Sequence, residues 1–207
     1  MCFGLFSFAG FSGLHPSSTV RIPPVAYQGA APDIRAEFDY QTEHHGRITN
    51  MKRTLLHSLP AYRALMEWYP LRDRVQPFLG ERLTVLFAHA ISAETDCLIC
   101  STFFRRLLSE AGENPDQLVL NPTEQAVVDF GRQLVANPNR VSDELYAPLA
   151  ARYSPAQVVD LTVFGAMMIA TNVFNNALRV DLDDYLEPYR LRPVLRQAQN
   201  DSSITDH

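Results

Sequence analysis

The sequence predicts an all-α domain behind an irregular N-terminal arm, and three observations carry that reading. Beyond Ile34, apolar residues recur at helical spacings. Start and stop signals bracket those runs. No stretch shows the strict alternation that a half-buried strand requires.

The elements follow in order. Residues 1 to about 33 are rich in Gly, Pro and Ser, and Pro16, Pro23, Pro24 and Pro32 are expected to break any helix there. The expected organisation is an arm over 1–45, a helical domain over 46–190 and a polar tail over 191–207. Met1–Val20 carries no Lys or Arg, and Gly4, Ser7, Gly10, Ser12 and Gly13 interrupt its apolar run. That departs from the basic-then-apolar template of a secretory signal. The longest apolar candidate for a membrane span, Leu161–Ala170, is short of the roughly 18 residues a span needs. The expectation is a cytoplasmic protein with no membrane partner.

Arg47–Leu59 reads as a short helix ended by Pro60, and Ala61–Trp68 continues in the same mode. Leu79–Ala93 is the first strong element, with Leu83, Leu86, Phe87, Ala90 and Ile91 on one face. Glu94-Thr95-Asp96 interrupts it, and Asp96 is expected to cap a helix over Cys97–Ala111 that stops at Gly112. Pro122-Thr123-Glu124 opens a helix carrying Ala126, Val127, Phe130 and Leu134, and Ser142 precedes another over Asp143–Tyr153. Ser154-Pro155 is a strong helix start. The helix it opens, Pro155 to about Leu178, is apolar nearly all round, which predicts a central, buried position.

The chain has 207 residues, enough for one domain, and 46% of them are hydrophobic, enough for a core. A net charge of -5 with no basic block argues against nucleic acid as the main partner. Among 18 basic residues there is a single lysine, Lys52, to which the sequence attaches no functional weight. The three cysteines, Cys2, Cys97 and Cys100, exclude a disulfide scaffold.

The motif with chemistry is Cys97-Leu98-Ile99-Cys100. On the first turn of a helix this spacing brings both sulfurs to one end, where free N–H groups and the helix dipole favour thiolate. Asp96 opposes that as a like charge. One sulfur can then act as a nucleophile and the other can close an internal disulfide. Two alternatives stay open: a pair of inert buried thiols, or zinc, for which Cys97, Cys100, His89 and His57 would have to converge.

Around this motif, Glu81–Leu108 resembles the redox segment of the alkylhydroperoxidase D-like, carboxymuconolactone decarboxylase superfamily. Thr49–Arg53 with Leu56–Ala61 is similar to the upstream helix of that family; Thr123–Ala126, Tyr153–Gln157 and Asn172–Asn175 are similar to its downstream pattern. The resemblance covers roughly residues 46–190. It implies an alkylhydroperoxidase D-like helical domain that assembles as a homo-oligomer, trimer or hexamer. It also implies reduction of a small-molecule hydroperoxide, with a dithiol or thioredoxin-like reductant and no metal or organic cofactor. By that resemblance Cys100 is the peroxidatic thiol and Cys97 the resolving one.

Two positions depart from the family pattern. Four residues after Cys100, where the family carries His, stands Phe104; twelve before Cys97, where it carries Glu, stands Val85. Attack by a thiol needs a base or a low pKa. His89, one turn beyond Val85, is the candidate base. Glu94 reads as a solvated turn carboxylate, and Arg105 and Arg106 as charges near the thiols or in solvent. His44-His45 reads as surface. Asn172, Asn175 and Asn176 read as end groups of the long helix, closing a pocket, bridging subunits or capping. Two rival functions remain: a catalytically degenerate binding or assembly protein, and a decarboxylase-like enzyme using His89 with Arg82 or Arg105.

Overall fold

The structure is a computed structural model that describes residues 20–191. The first part of the arm with Cys2, and the tail from residue 192, lie outside the described residues. Among the described residues there are nine α-helices and no strand: α1 Pro32–His45, α2 Asn50–Leu55, α3 Leu59–Met66, α4 Trp68–Leu79, α5 Glu81–Glu94, α6 Leu98–Glu110, α7 Pro122–Ala136, α8 Asp143–Arg152 and α9 Pro155–Leu178. Short 3-10 turns follow at Pro138–Arg140 and Asp184–Tyr189.

Helix α5 is the centre, packed by α4, α6, α7 and α9. Phe87, Ala88 and Ile91 on it are fully buried. Two glycines let α7 and α9 close onto it. A Cβ at Gly131 would stand 2.9 Å from the Phe87 ring; one at Gly165 would stand 2.9 Å from Leu134 Cδ1 and 3.0 Å from Phe87 Cζ. Phe164 of α9 lies against Phe87, ring centroids 6.1 Å apart, and against Trp68 of α4 at 5.4 Å. A second, smaller core gathers Phe38, Leu55, Leu56 and Tyr62 from α1, α2 and α3.

Caps explain most boundaries. Thr49, Ser58, Asn121, Ser142 and Ser154 each accept a backbone N–H of the helix they precede. Asn121 with Glu124 and Ser154 with Gln157 form capping boxes.

Several expectations change. Pro32 opens α1 instead of breaking it, because a proline in the first helical turn removes no intrahelical hydrogen bond. The irregular arm therefore ends at Ala31 and not at residue 45. Pro60 sits in the first turn of α3 for the same reason, so the chain over Arg47–Leu59 is a short helix and a capped turn. Helix α4 was not expected as a separate element: Pro70 and Pro77 obscure it, but they fall in its first and last turns. Asp96 does not cap α6. It takes a left-handed conformation, φ 51°, and Cys97 is the N-cap. Helix α9 is packed on one side only: Val159, Val163 and Val173 are exposed. By length and composition alone α9 is long and apolar enough to cross a bilayer; here its other face, including Leu161, Phe164 and Met168, is in the core.

The described part of the arm is docked. Arg21 donates its backbone N–H to Leu178 O at 3.1 Å and its guanidinium to Ala177 O at 2.8 Å, satisfying carbonyls at the C-terminus of α9. Val25 and Arg53 bond each other in both directions, and His57 bonds Pro23 O.

Candidate active site

The α5–α6 turn carries the cysteines. With Cys97 at the N-cap and Cys100 in the first turn, the N–H groups of Ile99 and Cys100 turn toward the Cys97 sulfur. Both thiols are free and buried. Cys97 is fully enclosed, and Cys100 retains 6% exposure.

The Cys100 thiol donates to Cys97, and this lowers the Cys97 pKa; burial opposes it, and the backbone N–H groups with Asn175 add to it. Cys100 is pushed well above the usual thiol range by its role as donor to Cys97, by burial and by the Cys97 charge. The first proton to leave the pair thus leaves Cys97. Once that proton is lost, the pair is a Cys97 thiolate accepting a hydrogen bond from the Cys100 thiol.

Three asparagines on α9 hold this turn. Asn175 points its Nδ2 at Cys100 Sγ, 3.3 Å away, and stands 4.0 Å from Cys97 Sγ. Asn172 donates to Thr95 Oγ1 at 2.8 Å, and Asn176 donates to Thr95 O at 2.9 Å. Asn172 and Asn175 are buried in an otherwise apolar helix. An amide buried there is retained at a cost unless it bonds something; the Nδ2 groups of both bond the cysteine-bearing segment, while Asn172 Oδ1 and Asn175 Oδ1 have no partner. Of the alternatives left open for them, closing a pocket, bridging subunits or capping, side-chain capping of α9 is not what they do: their amides reach the α5–α6 turn and Cys100.

Cys100 opens onto a cavity of about 290 Å³ between the two cores. Its walls are mainly apolar and aromatic: Trp68, Tyr69, Phe103, Phe104, Phe164 and Tyr185 supply the rings. Val85 and Phe104 are both on the wall. The two positions where the family resemblance implies proton-handling groups are thus part of the apolar lining.

The candidate base is elsewhere. His89 is absent from the cavity wall and has no hydrogen bond to either thiol among the described residues. Burial, then the nearby Arg105 and Arg132, lower its pKa to about 4, with Asp116 opposing. Arg105 is engaged with Asp116 at 2.8 Å and with Tyr189 O at 3.2 Å. Arg82 is engaged with Glu113 and Glu124. Arg106 pairs with Glu110 at 3.1 Å, and Glu94 is exposed. None of these groups is among those that perturb the two thiols. The metal alternative fares no better: no group of three or more His, Cys, Asp or Glu is placed to hold an ion among the described residues.

The cavity wall also holds a residue the sequence passed over. Lys52 of α2 is 3% exposed and lines the same cavity. Its Nζ donates to the buried Gln41 Oε1 and stands 4.7 Å from the centre of the Tyr69 ring. Burial lowers its pKa to about 8. One signal was present: Lys52 shares a helix face with Leu55 and Leu56, which are both buried.

The chain is similar in structure to several solved proteins. One is a peroxidase-related protein with an alkylhydroperoxidase core from Ralstonia eutropha JMP134 (TM-score 0.67, 19% identity, 84% of this chain and 96% of that one). Another is the debrominase Bmp8, as a cysteine-to-alanine variant in complex with 2,3,4-tribromopyrrole (TM-score 0.67, 16% identity, 84% and 96%). A third is a peroxidase-related protein from Silicibacter sp. TM1040 (TM-score 0.62, 15% identity, 86% and 100%). No family model and no curated protein matches the sequence. The chain has the alkylhydroperoxidase D-like fold that its motifs resemble.

Proposed function

We propose that this protein is a dithiol oxidoreductase that reduces an organic hydroperoxide held in the aromatic cavity. The observation that carries the reading is the arrangement of the pair: Cys100 on the cavity wall, hydrogen-bonded to a Cys97 sulfur that lies behind it at a helix N-terminus. The Cys97 thiolate takes the Cys100 proton, so the partner thiol does the work of the missing base. The Cys100 sulfur attacks the terminal oxygen of the hydroperoxide, and the O–O bond breaks. The alkoxide leaves with the proton from Cys97, and Cys100 becomes a sulfenic acid. Cys97 then attacks Cys100 Sγ and expels hydroxide, which takes a proton from solvent. An external dithiol or thioredoxin-like protein returns the disulfide to the dithiol.

The small cavity opening at Cys100 suits an apolar body of roughly one ring. The tribromopyrrole complex of the debrominase, a protein of the same fold, supports reading this cavity as a place for a flat apolar ring. The exposed valines of α9, Val159, Val163 and Val173, support assembly into a homo-oligomer.

The test is intact mass of the reduced protein before and after one equivalent of cumene hydroperoxide. The expected result is a prompt loss of about 2 Da in the wild type, and a trapped sulfenic acid on Cys100 in Cys97→Ser. An unchanged mass after prolonged exposure would move the assignment to a degenerate binding protein, which the apolar Val85 and Phe104 would suit.

A further inference from the structure

Lys52 is an incomplete site. An ammonium offers three donors, and among the described residues one protein acceptor is in place, the Gln41 amide oxygen. That amide is itself fixed, since Gln41 Nε2 donates to Tyr62 Oη at 2.7 Å. No salt bridge joins Lys52 to a carboxylate among the described residues, and burial alone accounts for the displacement of its pKa. A buried cation without a counter-ion is expensive and is retained where something pairs with it.

The charged or chargeable side chains stacked on the same rings are bases like it. His45 of α1 stacks on Tyr69 at 5.1 Å, and the Arg72 guanidinium of α4 lies 5.8 Å from both the Tyr69 and Trp68 rings. Lys52 and Arg72 both depress the His45 pKa. Arg72 shares its charge with Asp73 on the surface. Trp68, also on the wall, keeps its Nε1 buried with no acceptor. Two carboxylates are on the cavity wall, and neither acts on Lys52, whose pKa is displaced by burial alone: Asp183 accepts the Asn50 N–H at 2.9 Å through Oδ1, keeps Oδ2 buried without a partner and has its pKa raised by burial, and Glu81 is at the exposed start of α5.

We propose that the Lys52 end of the cavity binds the anionic head of an apolar organic substrate, a carboxylate or a comparable oxyanion, with its body lying along the aromatic wall toward Cys100. The placement of a reactive bond at Cys100 rests on the dithiol reading; the anion site does not. Lys52 is thus the specificity determinant that separates acids from neutral molecules of the same shape. Its ionisation makes the preference pH-dependent. The ammonium is present below about pH 8 and is lost above it, so affinity for the anion falls as pH rises through that range. The other groups facing Lys52 do not mimic this. Burial raises the Tyr69 and Tyr185 pKa, so both stay neutral; His45 is lowered and already neutral, and Arg72 keeps its charge.

The only tryptophan in the chain is Trp68, so its emission reports on the cavity directly. The experiment titrates phenylbutanoate and phenylbutanamide into Cys97→Ser/Cys100→Ser protein at about pH 7 and about pH 9.5. This variant cannot turn over, and thiol ionisation cannot contribute. We expect the acid to bind about tenfold to hundredfold more tightly than the amide at the lower pH, with most of that preference gone at the higher. Lys52→Met should erase the preference and leave amide binding in place. Lys52→Arg should keep the preference and flatten its pH dependence, with a normal thermal melt showing that the fold is intact. Equal affinity for acid and amide, no quenching by either, or a preference that survives in Lys52→Met would each overturn the proposal.

A second measurement separates this from failure of the redox reading: kcat/KM of the wild type on cumene hydroperoxide and on its para-carboxylate. Turnover of both at equal rates sinks the anion site alone. Anion binding in the titration with no oxidation of either peroxide sinks the dithiol reading alone.

Discussion

Two polar groups on the cavity wall, the thiol pair and Lys52, are built on opposite principles. At the thiol end every charge that develops already has its partner. The Cys97 thiolate is met by backbone N–H groups, by Asn175 and by the Cys100 thiol, and three asparagines of α9 lock the turn that carries the pair. At the Lys52 end a cation is buried with one neutral acceptor and a ring face. The first arrangement is preorganised for a reaction and needs nothing more from a ligand than a bond to break. The second is costly as it stands and is completed only by an anion. On the two proposals above, such a site would have a direction, with the substrate head at Lys52 and its body toward Cys100.

The largest expected effect breaks the thiol end. Cys100→Ser should lower peroxide consumption by about 10³ or more, because it removes the nucleophile itself. Cys97→Ser should still form one sulfenic acid per chain, but about 10²-fold more slowly, since the proton acceptor is gone. Stopped-flow peroxide consumption under single-turnover conditions reads both. If Cys97→Ser formed the sulfenic acid at the wild-type rate, the partner thiol would not be the base.

Next in size is the asparagine lock. Asn175→Leu is close in volume and removes the amide beside both sulfurs. Since the Asn175 hydrogen bond lowers both thiols, its loss should move the rate-versus-pH curve toward higher pH. The rate near neutrality should fall by about tenfold. The same change at Asn172 touches Thr95 and not sulfur, so Asn172→Leu should lower stability without displacing the curve.

The Lys52 end predicts a smaller effect of the opposite sign on stability. The folded-state pKa of Lys52 is lowered from 10.5 to about 8, so the ammonium is held less well folded than unfolded. That cost is full below about pH 8, about 3 kcal/mol, and is relieved as pH rises toward 10.5. Lys52→Met removes it but leaves Gln41 Oε1 without its donor, a loss of about 1–3 kcal/mol. The expected net is a gain of about 1 kcal/mol at neutral pH, or roughly 3 °C in Tm for a domain of this size, in a protein that has lost its preference for acids. A thermal melt that fell instead would make the ammonium a structural group.

The same two regions differ in how much of them the sequence displays. Helices α7 to α9 are legible because caps and periodicity agree: Ser142, Ser154 and the Pro122 start all stand where they are expected; α5 and α6 are legible from periodicity alone, since neither has a side-chain cap. The cysteines are legible because CxxC carries its own spacing. Helices α1, α3 and α4 are obscured by prolines: Pro32, Pro60 and Pro70 sit in first turns, where they are tolerated, and Pro77 lies inside α4 near its end. Lys52 was hidden because burial of a charge is a property of two cores meeting and leaves little trace in a short helix. Asn175 was visible as a polar residue in an apolar helix, but its partner lies 75 residues away in sequence. The one-sided exposure of α9 was equally hidden, since an apolar surface strip and an apolar core strip read alike.

His89 marks where the site stops. It lies one turn from Val85 on α5, and Val85 is on the cavity wall, yet the groups that perturb His89 are Arg105, Arg132 and Asp116. If the reactive region is bounded by the cavity, His89→Gln should change kcat/KM by no more than about twofold, within the range of a neutral substitution away from the chemistry. Its effect should appear in acid stability instead. The imidazole is held neutral in the fold, with a pKa lowered from 6.5 to about 4. Above 6.5 it is neutral in both states and contributes no slope. As pH falls from 6.5 to about 4, the unfolded chain takes up a proton that the folded chain refuses, and stability falls by up to about 3 kcal/mol. Below that, both states are protonated and the loss is complete. His89→Gln should remove that component, so that denaturant midpoints at about pH 4.5 and about pH 7 draw closer together than in the wild type. A tenfold drop in peroxide turnover with unchanged acid stability would extend the thiol end past Val85 and restore His89 as its base.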